Sequence, residues 1–333
     1  MPEFRSSTSS GHNNNFSVMS IQNRHERRHL GRKIEGMAAC LLPFEENGDI
    51  AEQAFRDAVV RSEAAGLTCA VNMDTGYANY LTDHERLEVL RWTREALGDG
   101  PRFVGGVFVE GLEGDLVDLY KRGADQVAAA GGTPILFQTT RFHDWKAEKI
   151  VELYADVCSG YDAVLGFELG RMFAPNGMIY SDDVVRGLMG IPQLKGMKHS
   201  SLSRGKELER LALRDELRPD FKIYTGNDLG IDMIEYGSDY LLGLAAFCPE
   251  KFAERDRMWA DGDEGYFELN DALQYLGNVA FRDAVPAYKH SCAVFQNLLG
   301  RIPSSEPHSQ CPRRPEWERE IMVDCAKRLG YSI

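Results

Sequence analysis

One lysine in this chain stands where burial would turn it into a nucleophile. In QLKGMKHSS (193–201) the side chains of an extended strand alternate, so Leu194, Gly196 and Lys198 share one face while Lys195 and Met197 share the other. Only one of the two lysines can then face a core. A buried ammonium is costly, and desolvation lowers its pKa from ~10.4 toward neutrality, which frees an amine able to form a Schiff base with a carbonyl substrate. Gly196, beneath Lys198, is expected to leave room for a side chain crossing the core. The competing role is a surface lysine that snorkels from a strand end. Polar residues also close the other apolar runs: Asp74 and Thr75, Gln138, Glu168 and Arg171, Asn227 and Asp228. If Glu168 faces inward, its buried carboxyl would have a raised pKa suited to acid/base work; facing outward, it is a surface or loop glutamate. Asp74 could serve in the same way, or shape a turn. Tyr77 and Tyr180 are further acid/base candidates.

Other chemistries find less in the sequence. Asp74-Thr75-Gly76 spells the aspartic protease signature, but that chemistry needs two such loops to share one proton, and the sequence has no second one. HERRH (25–29) resembles a zinc-binding helix only superficially and has no third ligand. The seven cysteines are scattered without a CxxC pair, which argues against a zinc site and a disulfide framework. No metal and no cofactor is expected. Lys289-His290 reads as packing between helices.

These residues need a scaffold, and the sequence repeats one. Short apolar runs alternate with helical text: 37–44 with 49–66, 67–73 with a helix opening at Thr82, 102–109 with 115–130, 134–138 with 144–158. The series continues with 161–169 and 181–189, 193–199 and 203–217, 221–226 and 228–236, 239–245 and 249–261. Thr82 followed by Glu85 forms a capping box. Eight strand-plus-helix units with strands apolar on both faces imply a parallel sheet covered by helices, and closure into an α/β (β/α)8 TIM barrel is the economical solution. A doubly wound open sheet is the competitor, but LLPFEENGD (41–49) lacks the G-x-G-x-x-G of its first turn. Barrel sites lie at the C-terminal ends of the strands, where the polar residues above fall. Three helices at 266–282, 284–299 and 316–329 follow. The expected organisation is a disordered Ser-, Asn- and Arg-rich tail (1–35), a barrel (36–262) and a C-terminal three-helix layer (263–333).

Composition narrows the partners. With 38 Lys plus Arg against 51 Asp plus Glu, the net charge is −13, which disfavours nucleic acid. No apolar run approaches the ~18–20 residues that span a bilayer, so no membrane partner is expected. The scattered cysteines fit a reducing, cytoplasmic compartment; the Arg- and Ser-rich first 35 residues also suit a mitochondrial transit peptide.

The run IPQLKGMKHSSLSR (191–204) resembles the lysine strand of the dihydrodipicolinate synthase / N-acetylneuraminate lyase family, and LLPFEENGDI (41–50), GLTCAVNMDTGYANYLTDHER (66–86), FKIYTGNDLGIDMIEYG (221–237) and AVPAYKHSCAVFQNLLGRIPS (284–304) agree in order and spacing. The resemblance covers about residues 36–330. It implies a barrel with three C-terminal helices, a homodimer or homotetramer, and class I aldolase, lyase or dehydratase chemistry on a 2-oxo acid. Lys198 matches the Schiff-base lysine and Arg171 an arginine that meets a substrate carboxylate. The family's carboxylate loop corresponds to Met73, Asp74, Thr75, Gly76 and Tyr77, with Asp74 in place of a hydroxyl residue. An ionised Asp74 is expected to repel a pyruvate carboxylate, by several kcal/mol if water is excluded. The family's relay tyrosine on strand 5 is replaced by Gly166 or Phe167, and the second, after strand 4, by Phe137 or Gln138.

The sequence therefore reads as a Schiff-base-forming lyase acting on a 2-oxo acid through Lys198, with Glu168 as acid/base group and Asp74, Thr75, Gly76 and Arg171 binding substrate. The alternative is a divergent member with little aldolase activity that serves as a small-molecule binding or regulatory module. A metal-dependent hydrolase is disfavoured, since no His-x-His follows strand 1. Phe142 and Trp145, in the loop after strand 4, are expected near a subunit interface.

Overall fold

The computed structural model of the chain describes residues 27–99 and 103–333. Eight strands run parallel and close on themselves in sequence order: β1 (Gly36–Ala39), β2 (Thr68–Val71), β3 (Val104–Val107), β4 (Thr133–Leu136), β5 (Val164–Leu169), β6 (Leu194–Ser200), β7 (Lys222–Thr225) and β8 (Asp239–Leu242), which pairs back onto β1. Their helices are α1 (Glu52–Ala64), α2 (Asp83–Leu97), α3 (Leu116–Ala129), α4 (Ala147–Cys158), α5 (Asp182–Met189), α6 (Arg204–Leu217) and α7 (Pro249–Asp261). The (β/α)8 barrel expected from the eight apolar repeats is thus present, with one local difference. Between β7 and β8, where a helix over 228–236 was expected, Ile231–Tyr236 forms a short 3-10 turn bounded by Gly230 and Gly237. Gly237 takes a left-handed φ of 101°, which ends the turn at little steric cost.

The capping box at Thr82 is formed in both directions: the Thr82 hydroxyl accepts from the Glu85 N–H, and the Glu85 carboxylate accepts from the Thr82 N–H. Three helices follow the barrel, α8 (Gly265–Ala280), α9 (Tyr288–Leu298) and α10 (Glu318–Arg328). Their buried residues join the barrel's in one apolar core.

Two expectations are corrected here. Residues 27–35 are not a disordered tail, because they close the N-terminal face of the barrel. Arg32 reaches Asp239 Oδ1 at 2.9 Å and also donates to the Ser238 carbonyl, Arg28 pairs with Glu235 at 2.8 Å, and the Trp259 indole N–H donates to the His29 carbonyl at 3.1 Å. The expected tail up to residue 26 lies outside the described residues. Phe142 is not an interface anchor either. It is buried within the chain, 1% exposed, with Tyr120 and Trp145 against its faces at 6.2 and 5.4 Å. Half-buried Trp145 is covered by Lys149 at 3.8 Å. Burying the Phe142 ring within its own chain takes its apolar area out of water without a partner.

The Arg32 staple should be measurable. Arg32→Met leaves Asp239 with Lys222 at 3.0 Å and the Glu35 N–H at 2.9 Å but deletes its guanidinium partner. The expected loss is roughly 1.5–3 kcal/mol of unfolding free energy, read from urea denaturation. An unchanged midpoint would mean that the Arg32 contacts contribute nothing to the closure of the barrel.

Candidate active site

Strand alternation on β6 separates its residues as expected. Lys195 is exposed and donates to the Pro192 carbonyl, whereas Lys198 is 7% exposed and points into the barrel. Its ammonium lies 4.7 Å from the centre of the Phe167 ring, and Phe167 meets Phe137 edge to face at 4.8 Å. Of the residues left open on β5, Phe167 is the one beside the lysine, and Phe137, after β4, packs on Phe167. Neither carries a proton. The glycine that makes room is Gly226, after β7, and not Gly196. A Cβ on Gly226 would fall 2.7 Å from Lys198 Cε and closer still to Ser200 Oγ, whereas one on Gly196 would collide with the Lys222 backbone.

Burial drives the Lys198 pKa down to about 8, against the opposing charges of Asp228 and Asp74. Asp228 is affected in the reverse sense. Burial pushes its carboxyl up to about 7, although the Leu244 N–H donates to Oδ1 at 2.8 Å and Lys198 favours the ionised form. An amine and an acid in one interior thus titrate within reach of neutrality. Ser200 Oγ, one alternation above Lys198, is buried without a protein partner among the described residues.

Asp74, Thr75 and Gly76 form a buried 3-10 turn after β2. The C-terminal layer descends onto it. Tyr288, the first residue of α9, donates to Asp74 Oδ2 at 2.8 Å and shares a 2.9 Å hydrogen bond with Thr75 Oγ1, while Lys289 reaches Asp74 Oδ1 at 3.1 Å. Gly243 admits the tyrosine, since a Cβ there would lie 2.9 Å from its ring. Lys289 is 1% exposed and is flanked by the rings of Tyr77, Tyr80 and Tyr288 at 5.5–5.6 Å. The repulsion expected between Asp74 and a substrate carboxylate is accordingly offset, because the charge of Asp74 is already paired. Lys289 belongs to this cluster and not to interhelical packing alone; His290 does serve packing, accepting from the Arg314 N–H at 2.7 Å.

Glu168 lies elsewhere. It neighbours Phe167 on β5, so with Phe167 facing inward it faces the helix layer, where Arg210 of α6 binds Oε1 at 2.9 Å and His199 Nδ1 stands 2.5 Å away. Burial would raise its acid, but the His199 hydrogen bond and the Arg210 charge outweigh that and hold it below the usual carboxylate range. The raised pKa expected of it is absent. Arg171 is exposed, and its guanidinium meets only His143, at 3.5 Å, among the described residues. Gln138 ties the end of β5 to the segment after it by accepting from the Leu169 and Met178 N–H groups. Tyr180 bonds Tyr154 outside the barrel at 3.1 Å; the Tyr77 hydroxyl is buried without a partner among the described residues. Asp228 was visible as a polar residue at a strand end, but nothing in its spacing marked its burial. Tyr288 lies outside any strand-end scan.

No protein-family model matches the chain, and no curated protein matches it. Solved structures do. Dihydrodipicolinate synthase from Thermotoga maritima is similar over 90% of this chain and 99% of its own, with TM-score 0.76 at 18% identity. The synthase from Agrobacterium tumefaciens covers 89% and 98%, with TM-score 0.75 at 21% identity. A prophage protein of the dihydrodipicolinic acid synthase family from E. coli K12, solved in complex with pyruvate, covers 90% and 99%, with TM-score 0.77 at 13% identity. Likeness at these identities establishes the fold, and the fold is the one that the lysine-strand resemblance implied.

The cluster over β2 makes a prediction. Lys289→Met strands a buried carboxylate and should cost roughly 3–5 kcal/mol of stability. Adding Asp74→Asn should recover a large part of it. A double-mutant cycle by chemical denaturation checks this, and additive losses would show that the pair is not coupled.

Proposed function

We propose that the protein is a Schiff-base-forming lyase, an aldolase or dehydratase, that acts on a 2-oxo acid through Lys198. The observation that carries this reading is the buried Lys198 amine, depressed to about 8, inside the barrel near the end of a strand. The dihydrodipicolinate synthase fold and the pyruvate-bound relative of that fold support it.

The assignment of roles differs from a tyrosine relay. Lys198 Nζ attacks the substrate's 2-oxo carbon, and water leaves as the iminium forms. With Phe167 beside the lysine and no tyrosine there, Asp228 is the group proposed to give a proton to the departing oxygen and take it back, since its acid titrates near 7. Charge balance favours an anionic substrate. Once Lys198 is an iminium, it and Lys289 supply two positive charges, against Asp74 and a partly protonated Asp228. One substrate carboxylate completes that balance, with the unpartnered Ser200 hydroxyl as a donor to it. Thr75 and Gly76 shape the floor of the β2 turn, whereas Arg171 acts only at the rim.

The phenylalanine pair also favours a second reading, a binding or regulatory module in which the iminium forms but turns over slowly. One experiment separates the two. Pyruvate with borohydride should add one reduced adduct to the wild type, seen by intact mass, and Lys198→Ala should lose it. The trapping rate should rise with pH through about 8 and then level, because below that value the amine is protonated. A rate still climbing toward ~10.4 would mean that Lys198 is an ordinary solvated lysine.

Turnover should show the opposite limb. It should fall as pH rises through about 7, as Asp228 loses its proton. Asp228→Asn should lower kcat by about 10²–10⁴-fold and abolish that limb. Trapping without turnover on any 2-oxo acid would select the binding module. Condensation of pyruvate with aspartate semialdehyde is expected to be very slow; an ordinary rate of about 10 per second would show that the missing tyrosines are dispensable.

A further inference from the structure

Back to back with Lys198 and Phe167, the outward residues of the same two strands form a second chemical series. Glu168 Oε1 lies 2.5 Å from His199 Nδ1, and His199 Nε2 lies 2.6 Å from Ser201 Oγ. Glu168 is fully buried and held from three sides: by Arg210 Nε at 2.9 Å, by Arg210 Nη2 at 3.3 Å and by the Tyr180 N–H at 2.8 Å. Arg210 is itself tied to Asp182 and the Tyr180 carbonyl. His199 is fully buried, and Ser201, just past the end of β6, is partly exposed.

The proton positions follow from chemistry. An ionised carboxylate only accepts, so His199 Nδ1 carries the proton that faces Glu168. A neutral imidazole then presents a lone pair at Nε2, and the Ser201 hydroxyl is the donor within reach. Its other acceptor, the Ser203 carbonyl at 3.4 Å, is too distant to compete. A hydroxyl, an imidazole and an anchored carboxylate in series are the requirements for activating a serine. The chain turns at once into α6, whose first two amides, Arg204 and Gly205, have no acceptor among the described residues.

We propose that Ser201 is a nucleophile, with His199 as its general base and Glu168 as the positioning residue, that cleaves a small carboxylic ester at the rim of the barrel. Ser201 Oγ bonds to the acyl carbon as its proton passes to His199 Nε2. The ester C–O bond breaks, and the alcohol leaves with that proton. Water then attacks the acyl group, gives a proton to Nε2, and Ser201 leaves with it restored, so acid and alcohol are released without any other reactant. Glu168 remains ionised throughout. This site does not depend on the Schiff-base reading.

The test uses a fluorophosphonate probe and p-nitrophenyl acetate. One phosphonyl adduct should map to Ser201, and Ser201→Ala should abolish it and lower ester hydrolysis by about 100-fold or more. His199→Gln should slow labelling by about 10²–10⁴-fold, with thermal unfolding as the check on folding. Should that buried variant fail to fold, Ser201→Cys carries the same information. All seven native cysteines are buried, so the introduced thiol is read alone, and beside an imidazole it should be alkylated by iodoacetamide about 10-fold faster than a free cysteine at neutral pH. No adduct, an adduct on another residue, or ordinary reactivity of the thiol introduced by Ser201→Cys would each overturn the proposal.

Discussion

The Asp74 carboxylate, buried between Tyr288 and Lys289, joins the two parts of the chain at the point where chemistry is proposed. It pairs the turn after β2 with the start of α9, so the C-terminal layer completes the interior of the barrel instead of merely covering it. With Asp74 paired, the interior is left with one lysine and one aspartate, Lys198 and Asp228, whose charges are set mainly by desolvation. The charge of Asp74 favours the protonated form of Lys198, and its pairing with Lys289 opposes that pull.

Much of this arrangement was legible in the sequence. Eight apolar runs separated by helical text specify a closed parallel sheet, and period-two alternation on QLKGMKH selects Lys198 over Lys195, since both signals are local. Glu168 was misplaced for a reason that is not local. The pairing of β5 with β6 shifts register between Val164 and Leu165, where Val164 faces Leu194 but Leu165 faces Gly196. One residue of β6 is skipped, so motif spacing carried across the two strands is out of step by one. A shift of one residue exchanges the faces of a strand. Within β5 itself, alternation only groups Glu168 with Gly166 and sets both against Phe167; that Phe167 faces Lys198 and Glu168 the helices is decided by packing around the barrel.

The other errors share a cause. The pairing of Asp74 with Lys289 and the docking of residues 27–35 depend on contacts between residues far apart in the chain, and the packing of Phe142 on a ring of the preceding helix layer. A carboxylate at a strand end looks repulsive until the lysine 215 positions later is brought to it. Composition likewise counts Arg28 and Arg32 as polar tail, although they meet acids at the start of β8 and in the turn before it.

That docking also orients the molecule. Residue 27 leaves the barrel on the face where the strands begin, while Lys198, Asp74 and Ser201 lie toward the face where they end. A fluorophore, affinity handle or surface tether attached at residue 27 itself would therefore sit on the face opposite the mouth. Immobilised in this way, the barrel would offer its open end to diffusing molecules with no obstruction from the anchor.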